Sequence, residues 1–153
     1  MIRTLPLGNV IDIQTNIQTE VLSSPLTTIF TEDEEMYKEN IIDHYKHPHN
    51  HREITEATCV HREFNLLCGD EITLFLNTNK KFIVDASFTG TGCAISQASA
   101  SLLTDALKGM TVEQARNLTQ NDIIAFLGAI ISPPRLKCAL LPLKALHHAL
   151  AQK

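Results

Sequence analysis

Apolar residues after Thr31 recur three and four positions apart: Met36, Tyr37, Ile41 and Tyr45 share a stripe with Asn40 and His44, and the pattern stops at Pro48. Thr31 and Glu34 have the spacing of a capping box, so a short amphipathic helix is expected here. The rhythm then shortens. β-Branched and aromatic residues gather from Ala57 to Phe64, and between Glu71 and Leu76 the residues Ile72, Leu74 and Leu76 alternate with Thr73 and Phe75. After the polar turn Asn77-Thr78-Asn79-Lys80, Phe82 to Phe88 makes a third run. Three runs joined by tight turns, with no helix between them, predict an antiparallel meander.

Beyond residue 93 the period returns to that of a helix. Ala98, Leu102, Leu103, Ala106 and Leu107 line one face of a segment from Ala94 to Lys108 that ends at Gly109. Thr111 and Gln114 open a short second helix by the capping-box rule, and Asn121 and Asp122 are read as capping a third through Leu127. Pro133-Pro134 precede a last helix expected from about Arg135 to Gln152, with a kink, a break or a later start at Pro142, whose ring should clash with the Cys138 carbonyl. Strands first and helices after predict an α+β domain, a small three-stranded antiparallel sheet with helices packed on one face. Residues 1–30 show no sustained period and are read as an amino-terminal extension ahead of a single domain over 31–153.

Charge narrows the classes of function. With 17 acidic against 13 basic residues and a net charge of -4, the chain lacks the Lys/Arg excess that tracking a phosphate backbone requires, so no nucleic-acid partner is expected. The longest apolar runs, such as Ile123–Ile131, fall far short of the roughly 20 residues needed to cross a bilayer. The first 30 residues have neither the order of a secretory signal nor the Arg-rich bias of a transit peptide, so the expected compartment is the cytoplasm. A chain of about 150 residues buries about 70% of its unfolded surface and needs no metal merely to hold a core. Metal ligands here are expected to be functional.

Three of the four cysteines sit where elements meet. Cys68 precedes Gly69-Asp70 at a strand entrance, Cys93 follows Gly90-Thr91-Gly92 at a helix start, and Cys138 lies near the start of the last helix. They are 25 and 45 residues apart with no Cys-x-x-Cys knuckle, which argues against a zinc ribbon or a ferredoxin-like protein. The helix dipole at Cys93, and Arg135 and Lys137 near Cys138, should favour thiolates, the form that binds metal and attacks sulfur. Asp70, two residues from Cys68 and on the same side if the backbone is extended, adds an oxygen ligand. Three thiolates and a carboxylate complete a tetrahedral set with an exchangeable position. Cys59 lies mid-strand and is read as a buried apolar residue outside the site. His44, His47, His49 and His51 are read as solvated or packed rather than as ligands, and His147 and His148, being adjacent, face different directions.

The motifs Asn65-Leu66-Leu67-Cys68-Gly69-Asp70, Phe88-Thr89-Gly90-Thr91-Gly92-Cys93-Ala94-Ile95-Ser96-Gln97 and Arg135-Leu136-Lys137-Cys138-Ala139 together resemble the IscU/SufU/NifU amino-terminal family of iron-sulfur cluster assembly proteins. The helix around Met36–Tyr45, with Pro48 and Asn50, resembles that family's opening segment. The resemblance implies a zinc or iron site, or a transient [2Fe-2S] cluster, on Cys68, Asp70, Cys93 and Cys138. The three cysteines would be candidate acceptors of sulfur from a cysteine desulfurase, with Arg135 and Lys137 in support and the cluster passing to acceptor apo-proteins. It points to a non-enzymatic scaffold, with two alternatives: a SufU-like zinc-dependent sulfurtransferase that activates the desulfurase, and a structural zinc-binding interaction module.

Departures from the family pattern refine the picture. Lys137 stands where IscU-type members carry His, as in the SufU-like branch, while the 45-position separation of Cys93 and Cys138 is short for the insertion typical of that branch. Leu66 replaces the usual Pro after Asn. Ile131-Ser132-Pro133-Pro134-Arg135 only approximates the chaperone-recognition motif Leu-Pro-Pro-Val-Lys, so chaperone dependence is not expected.

Overall fold

The alternating segments form three strands in a computed structural model that describes residues 32–152: β1 (Cys59–Asn65), β2 (Asp70–Thr78) and β3 (Ile83–Thr91). They pair antiparallel in the order β1-β2-β3. Helix α1 (Glu32–Lys46) precedes them; α2 (Ala94–Leu107), α3 (Val112–Arg116), α4 (Gln120–Leu127) and α5 (Pro133–Ala151) follow. Thr31 with its capping box, and the extension 1–30, lie outside the described residues. From Met36 onward the chain forms one compact unit.

Alternation decides which sheet face is covered. Ile72, Leu74 and Leu76 of β2 are fully buried, joined by Ile83, Ala86 and Phe88 of β3, while Val60, Phe64 and Val84 on the other positions are exposed. Helix α5 packs across β1 and β2, α2 packs on β3, and the two helices pack against each other. Buried Leu103 and Leu107 of α2 meet this core together with Leu146 and Leu150 of α5, each contributing about 1.5–3 kcal/mol. The expected α+β architecture, with helices on one face of a small sheet, is the one observed. Among the described residues no helix is long and apolar enough to cross a membrane.

Two helix starts and one helix interior differ from expectation. The cap of α4 is Thr119, not Asn121 or Asp122; Asp122 is its reciprocal partner, accepting from the Thr119 N–H at 2.7 Å. Helix α5 begins at Pro133, with Ser132 as cap, so the two prolines occupy the first turn, where a missing N–H costs nothing. Pro142 neither breaks nor delays α5, which runs through it. Leu141, Pro142, Leu143, Ala145 and Leu146 are all buried, and their packing outweighs one absent backbone bond.

Candidate metal centre

The first half of the site is a hairpin. Strand β1 ends at Asn65 and β2 begins at Asp70, directly paired, with Leu66-Leu67-Cys68-Gly69 between them. Asn65 closes the loop twice: its carbonyl accepts the Gly69 N–H at 2.8 Å and its side-chain Oδ1 accepts the Leu67 N–H at 3.1 Å. Gly69 has φ 72°, a left-handed conformation in which a side chain would be strained. A tight turn, rather than the extended spacing expected from sequence, therefore brings Cys68 and Asp70 together. Cys68 is exposed at the tip, and Asp70 is 4% exposed beneath it.

The second half comes from two helix starts. Cys93 is the cap residue of α2, and Cys138 lies in the second turn of α5. The Cys68 and Cys138 sulfurs are 3.1 Å apart, and the ligand atoms of Cys68, Asp70 and Cys138 all lie within 4.8 Å of one another. Cys93 stands beside this group: its backbone N–H donates to Asp70 Oδ1 at 3.3 Å, and its sulfur lies 3.9 Å from Ser96 Oγ. All four residues, with Gly92, Pro134 and Arg135, line an open cavity of about 610 Å³. Gly92 is needed for close approach, because a Cβ there would collide with Ser96 Oγ and come within 3.1 Å of the Asp70 carboxylate.

Two of the sequence-based expectations change. Cys138 is 3% exposed rather than reachable: α5 starts two residues earlier than expected, so Cys138 lies in its second turn rather than its first, turned in among the site residues. Nor do Arg135 and Lys137 govern its ionisation. Burial pushes the Cys138 thiol well above its ordinary range, and the neighbouring Cys68, Asp70 and Cys93 push it the same way. Arg135 does line the site cavity, but Lys137 opens onto the adjoining groove of about 570 Å³, with Phe64, Leu66, Leu67 and Leu140.

Asp70 Oδ2 is buried with no hydrogen-bond partner, beside the clustered Cys68 and Cys138 sulfurs, and a carboxylate oxygen so placed is suited to take a cation. Two thiols and a carboxylate in contact, with a third thiol at the cavity wall, match the donor set of a zinc or iron site. Sequence reasoning passed over Asn65, whose Nδ2 donates to Cys68 Sγ at 3.0 Å and lies 3.9 Å from Cys138 Sγ. The signal for it was its position at the buried end of β1 inside the Cys68 motif.

The histidines stay apart from these thiols. His44 is buried with Nδ1 2.7 Å from Ser101 Oγ, His49 pairs with Asp105 at 2.6 Å, and His51 packs edge-on against Phe88. His147 and His148 diverge as expected, one to the Leu118 carbonyl and the other to Glu63. Cys59 is buried, 5% exposed, at the far end of β1.

A family model described as the NifU-like N terminal domain matches residues 36–152, a span that contains all four candidate ligands. The chain belongs to this family. The zinc-dependent sulfurtransferase SufU of Bacillus subtilis is 35% identical over 135 residues, covering 77% of this chain and 91% of that protein. The iron-sulfur cluster assembly scaffold protein IscU 1 of Archaeoglobus fulgidus is 31% identical over 115 residues, covering 75% and 74%. Among solved structures, a putative iron-sulfur cluster assembly scaffold protein for the SUF system from Fervidobacterium islandicum matches with a TM-score of 0.61 and 35% identity, over 82% of this chain and 98% of that one. A nitrogen-fixing NifU-like protein (N-terminal) from Brucella abortus, at 20% identity and a TM-score of 0.63 over 79% and 94%, shares the fold. The NifU-like fold thus accounts for the three-stranded sheet and its covering helices.

Proposed function

We propose that the chain is an iron-sulfur cluster assembly scaffold: it accepts persulfide sulfur from a cysteine desulfurase, assembles a transient [2Fe-2S] cluster at Cys68, Asp70, Cys93 and Cys138, and passes it to acceptor proteins in the cytoplasm. The observation that carries this reading is the convergence of exposed Cys68, buried Cys138 and the half-satisfied Asp70 carboxylate in the lining of an open cavity. A buried structural site would be closed; this one admits both a donor and a departing cargo.

Sulfur transfer needs a thiolate that a protein donor can reach. Cys68, exposed on the hairpin directly after exposed Leu66 and Leu67, meets that need. Its thiolate attacks the terminal sulfur of the donor persulfide; the donor's S–S bond breaks, the donor leaves as a thiolate, and the new S–S bond leaves a persulfide on Cys68. Asn65 Nδ2, already donating to that sulfur, stabilises its negative charge. Asp70 supplies the harder, more exchangeable ligand, suited to release of the finished cluster.

A second reading is favoured by the 35% identity to the zinc-dependent sulfurtransferase and by Lys137 before the third cysteine. In it the same four residues hold zinc, which when bound keeps its ligand thiols deprotonated, and the chain relays sulfur without building a cluster. Incubation with a cysteine desulfurase and cysteine, with and without ferrous iron, separates the two readings. The scaffold accumulates iron and sulfide together; the sulfurtransferase keeps zinc and speeds the desulfurase. Undiminished sulfur acceptance and cluster assembly in Cys68→Ser, Cys93→Ser and Cys138→Ser alike would overturn the site itself.

A further inference from the structure

On the covered face of the sheet, β1 presents Cys59, His61, Glu63 and Asn65, while their direct partners on β2 are Leu76, Leu74, Ile72 and Asp70. The three apolar partners are fully buried, so His61 and Glu63 occupy positions where the neighbouring strand places core residues. Burying an imidazole and a carboxylate beside Leu74 and Ile72 is unfavourable unless both find partners. They find them on α5. His148 Nδ1 lies 2.6 Å from Glu63 Oε2, and His61 Nε2 lies 3.2 Å from the same oxygen, with the two imidazole centroids 5.0 Å apart.

We infer that His61, Glu63 and His148 form a second metal site, for a borderline divalent transition ion such as zinc, separate from the thiols. The three ligand atoms already lie within 4.8 Å of one another, and zinc with bonds of about 2.0–2.1 Å needs its ligands about 3.3 Å apart, so small side-chain movements suffice. Two imidazoles and one carboxylate suit zinc, nickel or copper and not magnesium or calcium, which favour all-oxygen shells.

A neighbouring amide can give the orientation that metal-bound imidazoles ordinarily have. Gln152 Nε2 lies 3.1 Å from His61 Nδ1; turning the amide over places its oxygen there, where it accepts Nδ1–H and leaves the Nε2 lone pair directed toward Glu63. Lys144 opposes a cation here, its Nζ lying 3.6 Å from the other Glu63 oxygen. That side chain is 62% exposed and can turn to solvent when a cation enters. An ion here would fasten α5, the helix that carries Cys138, to the edge strand that ends at Asn65.

The test uses the full chain freed of metal by a chelator and titrated with zinc and, in parallel, cobalt. Wild type is expected to bind two equivalents: one giving the intense thiolate-to-cobalt absorption and one giving only weak d–d bands. His148→Gln, at a half-exposed position, and His61→Gln should each weaken the second equivalent at least tenfold while the thiolate band stays. Thermal unfolding in chelator confirms that both variants fold. Absence of the weak-band equivalent in wild type, or a weak-band equivalent undiminished in either variant, overturns the inference. Failure of the thiolate site would remove the intense band and leave the weak one, so the two outcomes are distinguishable.

Discussion

Replacing Asp70 by Asn keeps the shape of the side chain and one oxygen for the Cys93 N–H, and removes the charge. Two effects oppose each other in the metal-free protein. The 3.3 Å bond from Cys93 N–H becomes a neutral one, a loss of about 1 kcal/mol. Removing the charge from the buried and unpartnered Oδ2 position returns a similar amount, since an unpartnered buried polar atom costs about 1–3 kcal/mol when neutral and more when charged. The metal-free stability should therefore move by no more than about 1 kcal/mol in either direction. Zinc changes the comparison, because the variant has lost an anionic ligand. Each tenfold loss of affinity removes about 1.4 kcal/mol of metal-induced stabilisation, so a loss of about 100-fold removes about 2.7 kcal/mol. Urea unfolding of both proteins, in chelator and at fixed free zinc, reads the two quantities separately. An equal zinc increment in wild type and variant would refute the ligand role. A metal-free loss of about 3 kcal/mol or more would make Asp70 a structural anchor instead.

Three further outcomes follow from the geometry. In metal-free protein, iodoacetamide should modify exposed Cys68 well before Cys138, which is buried and held protonated; mass-mapped labelling at equal rates would contradict the placement of these thiols. Gly92→Ala should cost about 1–3 kcal/mol, because its Cβ meets the fully buried Ser96 and the Asp70 carboxylate; it should also weaken zinc binding, and a variant with unchanged denaturation midpoint and affinity would disprove the close approach. Burial, aided by His49, lowers the His44 pKa below 6.5, against the smaller opposing pulls of Asp105 and Asp43. Stability contributed by neutral His44 is complete above about pH 6.5 and falls as pH drops below it, by at most about 1.4 kcal/mol per unit, so His44→Gln should flatten denaturation midpoints between pH 7.5 and 5.5.

What could be read from sequence divides along physical lines. The sheet was legible because its alternation is local: Ile72, Leu74 and Leu76 each had to face one way, and all three are buried. Likewise the capping box of Thr111 and Gln114 is a contact three residues long, and it is present on both sides. Long-range packing hid the rest. Pro142 looks like a breaker when only its own ring and the Cys138 carbonyl are considered, yet the burial of Leu141, Leu143 and Leu146 keeps α5 continuous. The four candidate ligands were legible as a set from their motifs. The roles within the set were not: Cys68 tops a turn, Cys93 touches Asp70 through its backbone, and Cys138 is buried. The charges beside Cys138 in sequence proved a poor guide, since successive helical residues point apart and Lys137 faces the groove. The His61–Glu63–His148 cluster joins a strand to a helix 85 residues away and left no local trace.

The central claim is tested most directly by anaerobic reconstitution of the purified chain with a cysteine desulfurase, cysteine and ferrous iron, following visible absorption and bound metal together. The account predicts a coloured species holding iron and sulfide in equal amounts, which an apo-ferredoxin then removes. Retained zinc, faster desulfurase turnover and no colour would contradict it and leave a sulfurtransferase in its place.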